Sequence, residues 1–210
     1  MIKKFVIANG TSRIGFDLNK LNGKGDTFGC NALYRDYIPD YIGCIDSPMF
    51  EELVRQDVYK ATKMISKHLY EGTLKIYPRA RVYVQTFQEA LGEDLNYDTG
   101  QTMLDYAARK TTGTGAIYML GFDLSNYTDN MKQSTNPMNN IYKGTDCYAP
   151  ANASERYSGK WIWQMAEVFR KNRHIEFYRV GGEIWPRDWN EHPNVKQITY
   201  EEFDEHLINR

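Results

Sequence analysis

The chain has 210 residues, 41% of them hydrophobic and 14% aromatic, enough for one compact domain (1–210) with a sizeable core and too few for two full ones. A formal net charge of −1 gives no global electrostatic drive toward nucleic acid or an anionic membrane. Three cysteines, Cys30, Cys44 and Cys147, lie at no zinc-like spacing; Cys30 and Cys44, in or beside strand-like runs, read as small buried hydrophobes of a reducing compartment and not as a disulfide framework.

Phe5-Val6-Ile7-Ala8 is a short apolar run of buried-strand type, and it stops at the small polar turn Asn9-Gly10-Thr11-Ser12. A polar stretch, Arg13 to Gly25, leads to a second strand over Asp26 to Asn31, and Tyr41 to Ile45 is a third that ends at Asp46. Ser47-Pro48 starts a helix, with Ser47 as cap and proline at the first helical position, and one or two helices run on to about His68. Arg81 to Val84 is a fourth strand. Asp98 caps the next helix in a box with Gln101, and Met103, Leu104, Ala107 and Ala108 share one face of it. Ala116 to Leu120 is the most apolar strand and ends in Gly121-Phe122-Asp123. Leu124 to Ala153 is rich in Asn, Thr, Ser, Gly and Tyr, has no period, and has the length of a functional lid or a disordered loop. Trp161, Ile162, Met165, Val168 and Phe169 form the apolar stripe of a helix opening near Ser154; Ile175 to Val180 is a last strand, and Thr199 with Glu202 boxes a C-terminal helix.

Strands alternating with helices imply an α/β class fold, Rossmann-like, with a mostly parallel sheet flanked by helices and a long lid-like loop at about 124–153. In such sheets ligands bind outside the carboxyl ends of the strands. Asn9, Asn31, Asp46 and Asp123 all fall at those ends. The turn Asn9, Gly10, Thr11, Ser12 offers backbone N–H groups and hydroxyls to a phosphate or ribose, or is a tight structural turn. Asn31 pairs with a base edge or ribose, or caps the next turn; Asp46 takes a ribose hydroxyl or caps its helix. Thr99 and Gly100 open a helix whose positive end suits a phosphate or a sugar carboxylate, although Asp98 opposes an anion unless it caps that helix. Asp123 is functional or anchors a loop. Arg156 meets a phosphate or solvent, and Tyr142 and Tyr148 bind a leaving phosphate or pack their loop down. No G-x-G-x-x-G, P-loop or D-x-D pattern occurs, and the four histidines show no ligand spacing. No run approaches the roughly 18 apolar residues of a membrane span, and the first residues are not a signal peptide, so a cytoplasmic protein with no membrane contact is expected.

Together, Asn9-Gly10-Thr11-Ser12, Cys30-Asn31, Pro39-Asp40-Tyr41 with Asp46, Thr99-Gly100 and Ile117-Tyr118-Met119-Leu120-Gly121-Phe122-Asp123 resemble the metal-independent bacterial sialyltransferases over residues 3–125. They also resemble the MptE-like 6-hydroxymethylpterin diphosphokinase group, and the whole chain looks like proteins encoded by tailed phages, whose site of action would be the host cytoplasm. The sialyltransferase resemblance implies that Asn9, Gly10, Thr11, Ser12, Asn31, Thr99 and Gly100 bind a nucleotide-sugar donor. Where that family has a pair of tyrosines after its G-x-D, this chain has Ser125 and Met131 with Tyr127 close by. Where it has a histidine base, this chain has Glu155, Arg156 and Tyr157.

The leading expectation is a glycosyltransferase that uses a nucleotide-sugar as co-substrate, with no metal and no other cofactor. Asp123 or Glu155 would be the base, and Arg156, Tyr142 and Tyr148 would steady the departing phosphate. The acceptor is open; hydroxymethylated phage DNA is one option, and a homo-oligomer is compatible with the composition. The alternatives are a diphosphokinase acting on a pterin-like alcohol, with magnesium on Asp46, Asp98 and Asp123, and a non-catalytic phage protein that sequesters a nucleotide.

Overall fold

The structure is a computed structural model that describes residues 2–93, 96–124, 138–153, 158–182 and 185–208. Eight strands form a single sheet: β1 (Ile2–Ile7), β2 (Asp26–Cys30), β3 (Tyr41–Cys44), β4 (Lys63–Ser66), β5 (Val84–Thr86), β6 (Gly115–Leu120), β7 (Ile175–Val180) and β8 (Val195–Ile198). Their spatial order is 5-4-3-2-1-6-7-8, and every neighbouring pair is parallel. The chain therefore builds outward from β1 to β5, returns across the sheet, and builds outward again from β6 on the other side of β1. The switch between these two directions lies between β1 and β6, whose ladder runs from Ile2↔Gly115 to Ile7↔Leu120.

Helices cover both faces: α1 (Ser47–Arg55), α2 (Glu71–Ile76), α3 (Phe87–Leu91), α4 (Thr99–Arg109), α5 (Ser158–Lys171) and α6 (Tyr200–Ile208). Alternation along the strands divides the core. Val6, Ile117 and Met119 face α4 and α5, where they meet Met103, Leu104, Ala107, Ile162, Met165 and Phe169. Phe5, Ile7, Tyr118 and Leu120 face the other way, onto Phe203 and Leu207 of α6. Ile42, Cys44 and Met64 pack beneath Met49, Phe50 and Leu53 of α1. β6 and residues 5–7 of β1 are buried on both faces, so they appear in the sequence as unbroken apolar runs. The α/β class, the parallel sheet and the apolar stripe of α5 match the sequence expectation. Among the described residues, no helix is long and apolar enough to cross a membrane.

Several boundaries differ. The helical reading to about His68 is wrong: α1 ends at Arg55 and Lys63–Ser66 is a strand beside β3. Met64 and Ile65 are both buried, one toward each face, which removes the alternation that would have betrayed the strand. The strand expected at Arg81–Val84 is displaced, because Pro78–Val82 forms a 3-10 turn and pairing with β4 begins at Val84. Ile175–Val180 is not the last strand: β8, short and polar, pairs outside it. Helix α1 starts one residue earlier than expected, with Ser47 inside it and Asp46 at the cap position, since Phe50 N–H closes the first turn on the Asp46 carbonyl at 2.9 Å. The C-terminal box is present, Thr199 N–H donating to Glu202 at 2.8 Å and Glu202 N–H to Thr199 at 3.2 Å.

Met119 is fully buried at the centre of β6. Met119→Ala should lower unfolding free energy by about 2–5 kcal/mol in urea denaturation. Ile76→Ala, at a side chain 69% exposed, should change it by less than about 0.5 kcal/mol.

Candidate functional site

The site is built upward from the paired ends of β1 and β6. The ladder continues past both strands: Ala8 N–H donates to Leu120 at 2.8 Å and Gly10 N–H to Gly121 at 3.0 Å. Gly10 has ordinary backbone angles, but a Cβ there would lie 2.4 Å from the Gly121 carbonyl oxygen and 2.5 Å from the Asp123 carboxyl carbon. Only glycine permits this approach. The approach lets Asp123 grip the opening turn. Its Oδ2 accepts from Ser12 N–H at 2.8 Å and from Thr11 Oγ1 at 3.4 Å, and its Oδ1 accepts from the Ser12 hydroxyl. Asp123 thus faces the site with both oxygens engaged, and it anchors the first turn rather than the loop that follows it. From behind, buried Arg179 of β7 donates Nε to the Phe122 carbonyl at 2.9 Å and a terminal nitrogen to that of Asp123. Burial pushes Arg179 down to about 10, so it still carries its charge at neutral pH.

Above this floor lies a cavity of about 520 Å³. Its walls come from the ends of β1 (Asn9, Gly10), β2 (Cys30, Asn31), β3 (Ile45, Asp46) and β6 (Gly121 to Leu124). The start of α4 (Asp98 to Gln101), Trp161 of α5 and part of the segment 138–149 complete them. Asn9, Gly10, Asn31, Asp46, Thr99, Gly100, Asp123 and Tyr148, all singled out in the sequence, therefore line one cavity. Thr11, Ser12 and Tyr142 do not line the cavity: the first two hold Asp123, and Tyr142 is buried beneath the wall.

Asn9 is buried, and its Nδ2 donates to the Cys30 carbonyl at 3.3 Å and to Tyr148 Oη at 3.2 Å. A carbonyl can only accept, which fixes the amide orientation and leaves Asn9 Oδ1 without a partner. Asn31 Oδ1 is also buried and unpartnered, on a residue held at φ 53°, a conformation asparagine tolerates better than most. Tyr148 Oη accepts from Asn9 and, at 2.9 Å, from Asn140. Burial raises its pKa, so the phenol keeps a proton to donate. The Asp46 side chain makes no capping hydrogen bond to the helix it precedes.

The segment 138–153 is a strap docked on the strand ends, and residues 125–137 of the expected lid lie outside the described residues. Ile141 N–H donates to the Asn9 carbonyl at 2.9 Å, and Thr11 N–H donates to Asn139 at 3.0 Å. Two arginine clips hold the strap. Arg13, itself buried, donates to Tyr142 Oη at 2.7 Å, and that hydroxyl donates to Asp36 at 2.6 Å. Tyr142 therefore packs the loop down and does not reach a phosphate. Arg35 grips Thr145 Oγ1 at 2.6 Å and the Asp146 carbonyl at 2.7 Å, while Glu52, almost fully buried, accepts from Arg35 Nε at 2.9 Å and from Tyr34. Burial pushes the Glu52 carboxyl up, but the hydrogen bonds from Tyr34 and Arg35 and the Arg35 charge outweigh it and hold the group below its ordinary value of 4.5.

The opposite wall departs from expectation. Asp98 stands at the cap position of α4 without capping it. Its carboxylate turns to Lys160 of α5, 3.0 Å away, and its own N–H donates to Gln164 at 3.2 Å. The first turn of α4 lines the cavity without a side-chain cap, and a Cβ on Gly100 would lie 3.6 Å from the Phe122 ring. Trp161, Asn139 and Asn140 were not singled out by sequence reasoning; for Trp161 the helical stripe signalled only a core position. Glu155, Arg156, Ser125, Tyr127 and Met131 lie outside the described residues. Asp46, Asp98 and Asp123 all line the cavity, but among the described residues no three His, Cys, Asp or Glu side chains gather as a metal site.

Gly10→Ala should cost about 1–3 kcal/mol and disorder the Ser12–Asp123 contact, whereas Gly72→Ala, with open space around it in α2, should be neutral or stabilising by up to about 1 kcal/mol in the same denaturation assay. The Glu52 contribution is complete above its unfolded pKa and is lost as pH falls through the lower folded value. Melting temperature should accordingly drop more steeply below pH 4.5 in the native protein than in Glu52→Gln.

No protein-family model and no curated protein matches the chain. Among solved structures, the chain is similar to the sialyltransferase CstII from Campylobacter jejuni, determined in complex with the substrate analogue CMP-3FNeuAc. The two are 16% identical over 85% of this chain and 81% of that one, with a TM-score of 0.48.

Proposed function

We propose that the protein binds a nucleotide-activated sugar in this cavity and transfers the sugar to an acceptor hydroxyl. The observation that carries the reading is the pair of unpartnered amide oxygens, Asn9 Oδ1 and Asn31 Oδ1, at the switch point of a parallel sheet. A buried acceptor without a partner is costly, and a ligand rich in N–H and O–H groups, such as a nucleoside, relieves it. Asp46 suits a ribose diol, which offers two hydroxyl donors to one carboxylate. The motif resemblance over residues 3–125 supports the same assignment.

In the transfer, the acceptor oxygen attacks the anomeric carbon and the bond from that carbon to the donor phosphate oxygen breaks. The electron pair leaves on the phosphate, and the acceptor proton passes to a carboxylate. The Tyr148 hydroxyl donates to the charge on the departing phosphate, a role that requires no metal. Asp123, bound by Ser12 and Thr11, serves as a positioning group, so the proton passes to Asp98 of the lining or to Glu155, which lies outside the described residues.

A thermal-shift screen against free nucleotides and nucleotide sugars tests the reading. A ligand at 100 times its dissociation constant should add about 2.7 kcal/mol of apparent stability. Asn31→Gly, which keeps the left-handed backbone accessible, should weaken that ligand about tenfold without unfolding the protein. No shift with any nucleotide would overturn the assignment.

A further inference from the structure

We propose that the sugar this cavity accepts is uncharged, a hexose-like ring rather than a carboxylate-bearing one; the inference rests on the nucleotide-sugar reading above. A helix N-terminus attracts an anion only when nothing negative stands beside it. At α4 Asp98 lines the cavity beside the helix start, and its carboxylate pairs with Lys160 and is not turned back to cap the helix. The cation at this corner, Lys160, is held by Asp98 at 3.0 Å, so a sugar carboxylate meets a pair already neutral. Asp46 and Asp123 are also carboxylates, and among the described lining residues there is no lysine or arginine. Sites that recognise carboxylates use the fork of an arginine.

The same corner suits a neutral ring. Trp161 offers an indole partly packed on the core and partly open to the cavity, against which the C–H face of a hexose can lie. Asp98 is an acceptor for the hydroxyls on the ring edge, and the Thr99, Gly100 and Gln101 N–H groups are donors to them. Phe122 closes the base: a Cβ on Gly100 would lie 3.6 Å from its ring.

The test uses the full chain and calorimetric titration with matched donors that differ in one carboxylate: UDP-glucose against UDP-glucuronate, GDP-mannose against GDP-mannuronate, and CMP-N-acetylneuraminate against its methyl ester. On whichever nucleotide binds, the neutral member should bind at least about tenfold tighter. Asp98→Asn and Asp98→Ser keep residues that suit a helix cap, so the fold should persist, and both should narrow the gap by strengthening the acidic member. Trp161→Ala should weaken the neutral sugar nucleotide while leaving the free nucleotide unchanged. An acidic member that binds as well as or better than its neutral partner, or a gap that Asp98→Asn leaves untouched, overturns the inference while the nucleotide reading stands. Failure of every free nucleotide to bind overturns both.

Discussion

Two adjacent parallel strands whose connections leave in opposite directions must part above their carboxyl ends. In this chain the width of the opening is set by the contact between Gly10 and Gly121. That contact is close enough for the ladder to continue into the turn, and it brings Asp123 within reach of Ser12. The position of the Asn9 amide follows from it, since Asn9 immediately precedes the contact. So does the docking of the strap, whose Ile141 bonds to the Asn9 carbonyl. A side chain at either glycine would wedge the two strands apart and move the cavity's floor, its inner amide and its outer wall at once.

The cavity is preorganised by unusual backbone as well as by hydrogen bonds. Of the described non-glycine residues with positive φ, Asn31, Leu124 and Cys147 all line it, and Asp57 does not. Such conformations each cost of the order of 1–3 kcal/mol and persist only where surrounding contacts over-determine them. The contacts here are identifiable: Arg179 on the carbonyls just before Leu124, and Arg35 on the Asp146 carbonyl just before Cys147. Arginines that serve backbone carbonyls, Arg179 buried and Arg35 partly exposed, thus fix the shape of the site, while the lining itself stays free of cationic side chains among the described residues.

Much of this was legible in the sequence, and the boundary of legibility has a physical cause. β6 and the second half of β1 announce themselves because stretches buried on both faces are predominantly apolar. Asn31 and Asp46 could be placed because a residue that follows such a strand stands at its carboxyl end whatever the rest of the chain does. β4 and β8 were missed because Lys63-Met64-Ile65-Ser66 and Val195-Lys196-Gln197-Ile198 are too short and too mixed for any period to show. The partners of Tyr142 and Asp98 were invisible for a different reason. Tyr142 is claimed by Arg13 and Asp36, and Asp98 by Lys160, and no local pattern encodes a partner so far away in the chain.

The strap also bears on the order in which the molecule assembles. The bonds that tie it to the first strand and its turn span sequence separations of 128 to 139 residues. Closing contacts of that span is entropically costly and slow, so they form late. Strand β1, its turn and β6 can pair before the strap exists, giving a sheet with a floor but no outer wall. During synthesis the emerging chain would hold a native-like half-sheet for as long as it takes to add the residues up to Tyr148. Ligand binding during refolding should therefore lag behind the recovery of helical signal and report the closing step alone.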